Sequence, residues 1–352
     1  MKKRVTSHDV AKLSGVSRGV VSAVINDTPG IRVSEEKRQR VLEAIAELNY
    51  TVDAQARSMR LGKSNCIAAY GNLDNSFFLQ VLQGVQQVCT ERGYHLLLYG
   101  HNKLEENKRW LIELYSQRRI DGLLTKDVTG YNQETWVHDV HKAGLPYVSV
   151  EGYPEREDVT SVLMDYEHSV TLALNHLYEA TSLKPVYVEL YNPPVYAPNW
   201  GDVHRRKAYL HWMTERGWEP VIHQVCDEGG DQSRWWQELL KKLGQTAAVL
   251  TNWSSGSRRL YEAAYRLGKR IGSDVYVMAA DDTQQANDYL VPPLSAVEVP
   301  YLEMGRAGTE RLLDMIEGRQ VDRGTKLWVP ARLTVRESTG AAAGQVVKGP
   351  GS

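Results

Sequence analysis

Hydrogen-bond donors are concentrated in a short segment near the amino terminus, between Ser17 and Asn26. Arg18 carries a guanidinium group, whose paired N–H donors fit the two acceptors on a guanine edge. Ser17, Ser22 and Asn26 have short side chains that suit phosphate oxygens, which position a protein on a duplex without reading its sequence. This set of side chains predicts contacts with nucleic acid, provided that one element presents them together.

A helix-turn-helix is the element that would present these donors. Thr6 can cap a first helix, which Gly15 ends because glycine readily adopts the left-handed conformation. Ser17 begins a second helix over residues 18–25, whose valines share one side, and Ser34 begins a third helix. Two short helices braced by a third match the arrangement that enters a major groove. We therefore predict an all-α headpiece over residues 1–50; a three-helix domain for protein contacts is the alternative.

Charge is unevenly distributed along the 352 residues. Residues 1–63 contain 12 Lys and Arg against 7 Asp and Glu, whereas the remainder contains 30 against 36. A basic segment on an acidic body is typical of a chain that binds a polyanion at one end, although a solvated basic face has the same composition. The three cysteines show no metal-ligand spacing, and no run approaches the roughly 18 apolar residues of a membrane helix. We expect a cytoplasmic protein with no metal, no cofactor and no membrane partner.

Residues 5–22 resemble the headpiece of the lactose-repressor (LacI/GalR) family, and residues 33–45 and 48–50 continue the resemblance. The DNA-binding residues implied in the headpiece are Thr6, Ser17, Arg18, Gly19, Ser22, Ala23 and Asn26. Family members usually have larger side chains where this chain has Gly19 and Ala23, two base-reading positions. We therefore expect Arg18 to be the main direct reader, helped by contact of the Ala23 methyl group with thymine, and weaker discrimination per base.

Residues 51–63 resemble the hinge helix of the same family, which forms in the minor groove. A helix of this length is marginal in isolation, so it should fold only when it is docked. Met59 matches the side chain that wedges a base step open, and Arg57 and Arg60 flank it. Family members usually have Pro-Asn where this chain has Val52–Asp53, which leaves the start of the helix less fixed. An ordinary flexible linker is the alternative.

Short apolar runs alternate with helical stretches from residue 64 onward. Cys66–Tyr70 and Gly122–Thr125 predict buried strands, and Phe77–Arg92 predicts one of the helices between them. Such alternation indicates right-handed βαβ units and a parallel sheet, and a second set of runs begins at Val186. The sequence thus predicts an α/β body of two doubly wound parallel-sheet lobes, with a ligand crevice at the carboxyl ends of the strands.

The resemblance covers nearly the whole chain and implies a periplasmic-binding-protein-like body over residues 64–339. The expected boundaries are about 64–162 plus 294–320 for lobe 1, about 163–293 plus 321–339 for lobe 2, and 340–352 for a disordered tail. The tail lacks heptads, so nothing predicts a coiled-coil tetramer.

The same resemblance implies a set of effector-binding residues in the crevice. They are Phe77, Phe78, Lys126, Glu151, Arg205, Asn252, Trp253 and Asp281. One of the two phenylalanine rings is expected to face a sugar or a nucleobase, and the fork of Arg205 suits paired hydroxyls or a carboxylate. Arg206 is the alternative to Arg205 if the alignment slips by one residue.

Several of these assignments leave a second interpretation open. Lys126 and Glu151 are equally consistent with exposed surface charges, and Asp281 with a cap on the segment that follows it. Asp165 resembles a carboxylate at the lobe junction, but its position favours capping the next helix. The family usually has Asn-Asp where this chain has Asn252 and Trp253, so the indole either stacks on a ring ligand or fills the pocket.

These features predict a homodimeric, DNA-binding transcription regulator, in the first instance a repressor, that binds a near-palindromic operator. Its effector is expected to be a saccharide or sugar derivative, with a nucleobase, another metabolite or a partner protein as alternatives. A transport solute-binding protein would have a signal peptide and no headpiece. An enzyme is disfavoured because the sequence shows no phosphate loop, nucleophile elbow or metal cluster.

Overall fold

The structure is a computed structural model that describes residues 5–26, 31–50, 63–101, 108–191, 198–226, 232–282, 287–319, 322, 324–340 and 345–348. The chain divides into two compact units, residues 1–64 and residues 65–352. Of the predicted DNA contacts, Arg57, Met59, Arg60 and the side chain of Asn26 lie outside the described part. No helix of the described residues is long and apolar enough to cross a membrane.

The amino-terminal unit contains the three expected helices. They are α1 (Ser7–Ser14), α2 (Arg18–Asn26) and α3 (Glu35–Glu47). The Asp9 carboxylate accepts hydrogen bonds from the backbone N–H and the hydroxyl of Thr6, at 2.8 and 2.7 Å, which fixes the start of α1. Gly15 ends this helix with φ of 66°. Apolar side chains from all three helices form one small core, so the predicted helix-turn-helix is confirmed.

The first part of the body is a regular alternation of strands and helices. Its elements are β1 (Cys66–Asn72), α4 (Ser76–Arg92), β2 (His95–His101), α5 (Arg109–Ser116), β3 (Gly122–Lys126), α6 (Glu134–Ala143), β4 (Tyr147–Val150) and β5 (Thr160–Met164). Tight glycine turns with positive φ end α4 and α6, at Gly93 and Gly144.

The second part repeats the alternation and then departs from it. Its elements are α7 (Tyr166–Thr181), β6 (Pro185–Tyr191), α8 (Trp200–Glu215), β7 (Ile222–Cys226), α9 (Gln232–Lys242), β8 (Ala247–Thr251), α10 (Ser257–Arg266), β9 (Val275–Ala279), β10 (Ser295–Glu298), α11 (Tyr301–Ile316), β11 (Lys326–Val329), β12 (Arg332–Val335) and β13 (Gln345–Lys348). Short 3-10 helices cover Ser254–Gly256, Asn287–Tyr289 and Glu337–Thr339.

These strands form two sheets with the same internal order. The first is β2–β1–β3–β4–β5–β11 and is parallel throughout, and the second is β7–β6–β8–β9–β10–β12–β13. In the second sheet β12 and β13 are antiparallel to their neighbours. Each sheet reverses direction of winding at its first strand, so the prediction of two doubly wound lobes is confirmed.

The expected lobe boundaries are wrong in two places. The predicted lobe 1 includes residues 295–298, but these residues form β10, which pairs with β9 in the second sheet. Residues 326–329 were assigned to lobe 2, but β11 pairs with β5 in the first sheet. Strand pairing over such distances depends on which sheet edge is available, and no local pattern reports that.

The expectation of a disordered tail is also wrong for part of its length. Residues 345–348 form β13, which pairs with β12 from Arg332 to Val335. The strand satisfies backbone groups along an edge of the second sheet that would otherwise be unpaired.

Helices α4 and α11 pack unusually closely and begin beside the crevice. A methyl group on Gly84 would lie 2.1 Å from the Leu302 carbonyl oxygen, and one on Gly305 would lie 2.2 Å from the Val81 carbonyl oxygen. The two backbones therefore touch, which holds the first residues of both helices in a fixed relation.

Candidate DNA-binding surface and effector crevice

The start of α2 presents the side chains that sequence predicted for DNA. Ser17, Arg18 and Gly19 are exposed. The Ser17 hydroxyl oxygen accepts a hydrogen bond from the Val20 N–H at 3.3 Å, which caps the helix. Thr6, at the start of α1, is exposed as well. These four residues are thus available to a duplex.

The structure contradicts the prediction that Ala23 reads bases. Ala23 is only 4% exposed, and Ser22 is half-buried. Ala23 follows Val20 by three residues and so lies on the same side of α2, next to the apolar stripe. The methyl contact with thymine is therefore not available in this conformation, and Arg18 is the exposed candidate for base reading in the described part of α2.

The expected effector crevice would lie at the carboxyl ends of the two sheets, beside the strands at which the winding reverses. In lobe 1, Phe77 follows β1 and Lys126 ends β3. In lobe 2, Tyr191 ends β6 and Trp253 follows β8. These are the positions where doubly wound sheets bind ligands.

The lobe 1 side contains a buried ion pair. Lys126 Nζ lies 2.5 Å from Glu151 Oε2, and both side chains are almost wholly buried. The hydroxyl of Tyr301 donates to the same carboxylate at 3.3 Å, and Tyr166 donates to it as well. Lys126 and Glu151 are therefore not surface charges. Burial raises the pKa of Glu151, but the Lys126 ammonium and the hydrogen bonds hold it below its usual value overall.

An aromatic wall adjoins this ion pair. Phe77 stacks on Tyr301 with ring centroids 4.8 Å apart and planes 19° apart. Phe77 is half-buried, whereas Phe78 is 0% exposed and packs against Gly71, where a methyl group would meet its ring at 2.7 Å. Phe77 thus remains the candidate for the ring that contacts the effector, and the assignment of Phe78 to the effector site is wrong because it fills the core.

The lobe 2 side is built around Arg205. Arg205 is 5% exposed, and its Nη1 donates to Asp202 Oδ1 at 3.1 Å. Its Nε is buried with no hydrogen-bond partner among the described residues. Burial lowers the pKa of Arg205, but the carboxylates of Asp202 and Asp281 raise it overall, so the charge is retained.

Asn252 supports this cluster instead of facing a ligand. Its Oδ1 accepts from the Leu190 N–H at 2.7 Å, and its Nδ2 donates to the Leu190 carbonyl at 3.1 Å and to Asp202 at 3.4 Å. Because its amide is fully used within the protein, its assignment as an effector contact is wrong. Arg206 does not replace Arg205 as the effector contact, because its guanidinium is paired with the buried Glu189.

Asp281 and Trp253 complete the lobe 2 side. Asp281 is buried, and its Oδ1 accepts from the Ser254 N–H at 2.7 Å. It therefore binds the start of the 3-10 helix Ser254–Gly256, which lies earlier in the chain, whereas the alternative placed its cap on the segment that follows it. Trp253 is half-buried, contacts the ring of Tyr191 edge-on at 6.3 Å and packs on the lobe 2 core. The carboxylate of Asp281 and the guanidinium of Arg205 are close enough to interact electrostatically.

Tyr166 connects the two sides, and sequence analysis missed it. Its hydroxyl donates to Glu151 in lobe 1, while the Arg205 guanidinium of lobe 2 lies over its ring at 4.6 Å. Tyr301 and Asp202 were missed as well. The only local signal was position: Tyr166 directly follows the junction carboxylate Asp165, which caps α7 by accepting from the His168 N–H at 2.9 Å.

Comparison with known proteins gives the same division of the chain. Residues 6–53 match the profile described as bacterial regulatory proteins, lacI family, and residues 175–339 match the periplasmic binding protein-like domain. The ribose operon repressor of Haemophilus influenzae is 29% identical over 345 residues, which cover 95% of this chain and 98% of that protein. The transcriptional repressor PurR of Vibrio vulnificus is 28% identical over 330 residues, covering 90% and 94%.

The solved structure of the lac repressor dimer, bound to operator and the anti-inducer ONPF, has a TM-score of 0.78 with this chain. It is 20% identical, and the match covers 96% of this chain and all of that one. The headpiece and the two-lobed body define a DNA-binding regulator with a periplasmic-binding-protein-like domain. The chain belongs to the LacI family of bacterial transcription regulators.

Proposed function

We propose that the protein is a cytoplasmic repressor that binds a near-palindromic operator as a homodimer and is controlled by a saccharide or sugar derivative. One headpiece reads only a half-site, so two copies are needed for a two-fold symmetric operator. The similar proteins named above are repressors. The protein acts by binding, not as an enzyme.

An exposed apolar patch on lobe 2 supports the homodimer. Tyr265, Tyr289 and Val291 are 85, 85 and 88% exposed. The hydroxyl of Tyr261, one turn before Tyr265 on α10, donates to the Pro292 carbonyl at 3.0 Å, which brings the helix and the Tyr289 segment together. Clustered exposed apolar side chains are typical of an interface, and a second copy of the chain is the partner that a symmetric operator requires.

The observation that carries the effector proposal is the buried, incompletely bonded guanidinium of Arg205. A buried donor without a partner costs free energy, and a ligand hydroxyl or ring oxygen would satisfy it. Asp281, whose carboxylate accepts from the Ser254 N–H and acts on the same guanidinium, supplies acceptor oxygens on that side. Across the crevice, the stacked pair of Phe77 and Tyr301 offers an apolar face. Donor, acceptor and aromatic ring together suit a sugar.

A thermal-shift panel of sugars, sugar phosphates, uronic acids and nucleobases tests the proposal. A ligand at 100 times its dissociation constant should stabilise the protein by about 2.7 kcal/mol. We expect a saccharide to raise the midpoint in the wild type but not in Asp281→Asn, and to change operator affinity. A response to nucleobases alone would favour the flat-ring alternative, for which the aromatic wall is the supporting observation. If no compound of the panel raises the thermal midpoint of the folded protein, a small-molecule effector from these classes is contradicted.

DNA binding is tested by Arg18→Ala in an electrophoretic mobility assay at fixed salt. Loss of one bidentate base contact costs about 1–3 kcal/mol of discrimination, so we expect specific affinity to fall about 10- to 100-fold. Non-specific affinity should fall much less. Ala23→Ser is the control, because Ala23 is buried and should read no base. An equal loss from both substitutions would contradict the assignment of Arg18 as the reader.

A further inference from the structure

An open recess lies where the two lobes meet. It is lined by Asp165, Tyr166, Glu167, Trp200, His204 and Trp328, and its volume is about 390 Å³. None of these six residues belongs to the set that sequence assigned to the effector. Ligand pockets usually have volumes of about 300–1000 Å³, so the recess can hold a compact ring.

Two indoles form its apolar walls, and they come from different lobes. Trp328 lies on β11 of the first sheet and is 54% exposed. Trp200 begins α8 in lobe 2, where its ring centroid lies 4.0 Å from that of His204 and 6.0 Å from that of Tyr166. A large exposed indole at the rim of a cavity is a surface on which the apolar face of a ring ligand can stack.

The carboxylates of the recess are compensated by their surroundings. Glu167 accepts from His204 Nδ1 at 2.7 Å and from Lys207 Nζ at 2.8 Å. Asp165 caps α7 through the His168 N–H, and the positive end of a helix favours negative charge there. The negative charge of the recess is therefore partly compensated and the recess is rich in acceptors, which suits an uncharged ligand with several hydroxyls better than an anion.

We propose that this recess is a second ligand site, which takes a neutral saccharide ring. The ring stacks on Trp328 and donates hydroxyl hydrogens to the carboxylates of Asp165 and Glu167. The site is distinct from the proposed effector site, since it uses neither Arg205 nor Asp281.

The position of the recess gives such a ligand a regulatory effect. Because Trp328 and Trp200 belong to different lobes, the affinity of the site depends on the angle between the lobes, and a bound sugar favours one angle. Tyr166 lines the recess and also donates to Glu151 in the crevice. Binding at the two sites is therefore coupled, and the coupling is reciprocal.

Saturation-transfer difference NMR on the full-length protein tests this site, with D-glucose, D-ribose, maltose and cellobiose as probes. We compare the wild type with Trp328→Ala, Trp328→Phe and Asp281→Asn. At least one sugar should keep its saturation-transfer signal with Asp281→Asn. The signal of the same sugar should fall at least fivefold with Trp328→Ala and return to most of its wild-type size with Trp328→Phe. Because Trp328 is exposed, its removal should leave the circular dichroism spectrum and the melting midpoint unchanged.

Two outcomes would overturn the second site. If every sugar signal disappears in Asp281→Asn and none changes in Trp328→Ala, sugars bind only in the crevice, and the effector proposal stands alone. If none of the four sugars gives a signal with the wild type, the recess is not a saccharide site. Failure of the effector proposal has a different signature, which is unchanged operator affinity with the sugars and sugar derivatives of the thermal-shift panel.

Discussion

The two sides of the crevice use their charges differently. In lobe 1, the ammonium of Lys126 and the carboxylate of Glu151 neutralise each other, and two tyrosine hydroxyls complete the bonding of that carboxylate. In lobe 2, Arg205 has a carboxylate partner in Asp202 but keeps Nε without one among the described residues. The polar cluster of lobe 1 is therefore closed, meaning that its charged groups are paired with each other, and an aromatic wall adjoins it. The polar cluster of lobe 2 is open, because one donor of Arg205 has no partner among the described residues. The difference predicts that lobe 2 binds the ligand's oxygens and lobe 1 binds its apolar face.

The largest expected effect comes from breaking the buried ion pair between Lys126 and Glu151. Lys126→Met leaves Glu151 buried and unpaired, and removal of one partner of a buried pair costs about 3–5 kcal/mol. Urea unfolding should show this loss, and Lys126→Met with Glu151→Gln should recover much of it. A single substitution that costs less than about 1 kcal/mol would mean that the pair is solvated and the cluster is not closed.

Arg205→Lys tests the open side. Lysine keeps the charge beside Asp202 but loses the fork and the Nε donor. A hydrogen bond to a charged group contributes about 1.5–3 kcal/mol, so we expect calorimetry to show effector affinity falling about 10- to 100-fold, using the sugar with the largest thermal shift. Arg206→Lys is the matched control, because the guanidinium of Arg206 is already paired with the carboxylate of Glu189. Equal losses from both variants would contradict the assignment.

Phe77→Ala tests the aromatic wall in the same titration. Aromatic stacking contributes about 0.5–1.5 kcal/mol beyond area burial, so affinity should fall about 3- to 10-fold, while Phe77→Tyr keeps the ring and most of the affinity. Phe78→Ala should instead lower the free energy of unfolding by about 3–5 kcal/mol, because its ring is fully buried. If Phe77→Ala leaves sugar affinity unchanged, the ligand does not use the lobe 1 wall.

The smallest effect concerns acid stability. The folded-state pKa of Glu151 is lowered, so its ionised form stabilises the fold above the usual glutamate pKa of about 4.3, and this stabilisation is lost as pH falls through the lower folded-state value. Chemical unfolding between pH 6 and pH 3 should show a steeper acid decline for the wild type than for Glu151→Gln. Parallel curves would mean that the Glu151 pKa is unchanged by folding.

Local patterns were sufficient for the elements but not for their partners. The capping residues, the glycine turns and the alternation of apolar runs predicted the headpiece helices and the two doubly wound lobes. The same patterns assigned Phe77 and Phe78 together, although they point to different surroundings one residue apart along α4. Tyr166 and Tyr301 could not be found this way, because they begin helices that lie 15 and 150 residues along the chain from the Glu151 that both contact, and no helical or strand period connects them to it.

The sequence by itself determined that a basic helix-turn-helix precedes a two-lobed α/β body, because helix caps and apolar periodicity act over a few residues. Only the tertiary structure decided that β10 and β11 exchange lobes relative to the expected boundaries. It also decided that Ala23 and Asn252 are buried. Burial and strand pairing depend on contacts between residues distant in the chain, and such contacts leave no period or cap in the sequence that could report them.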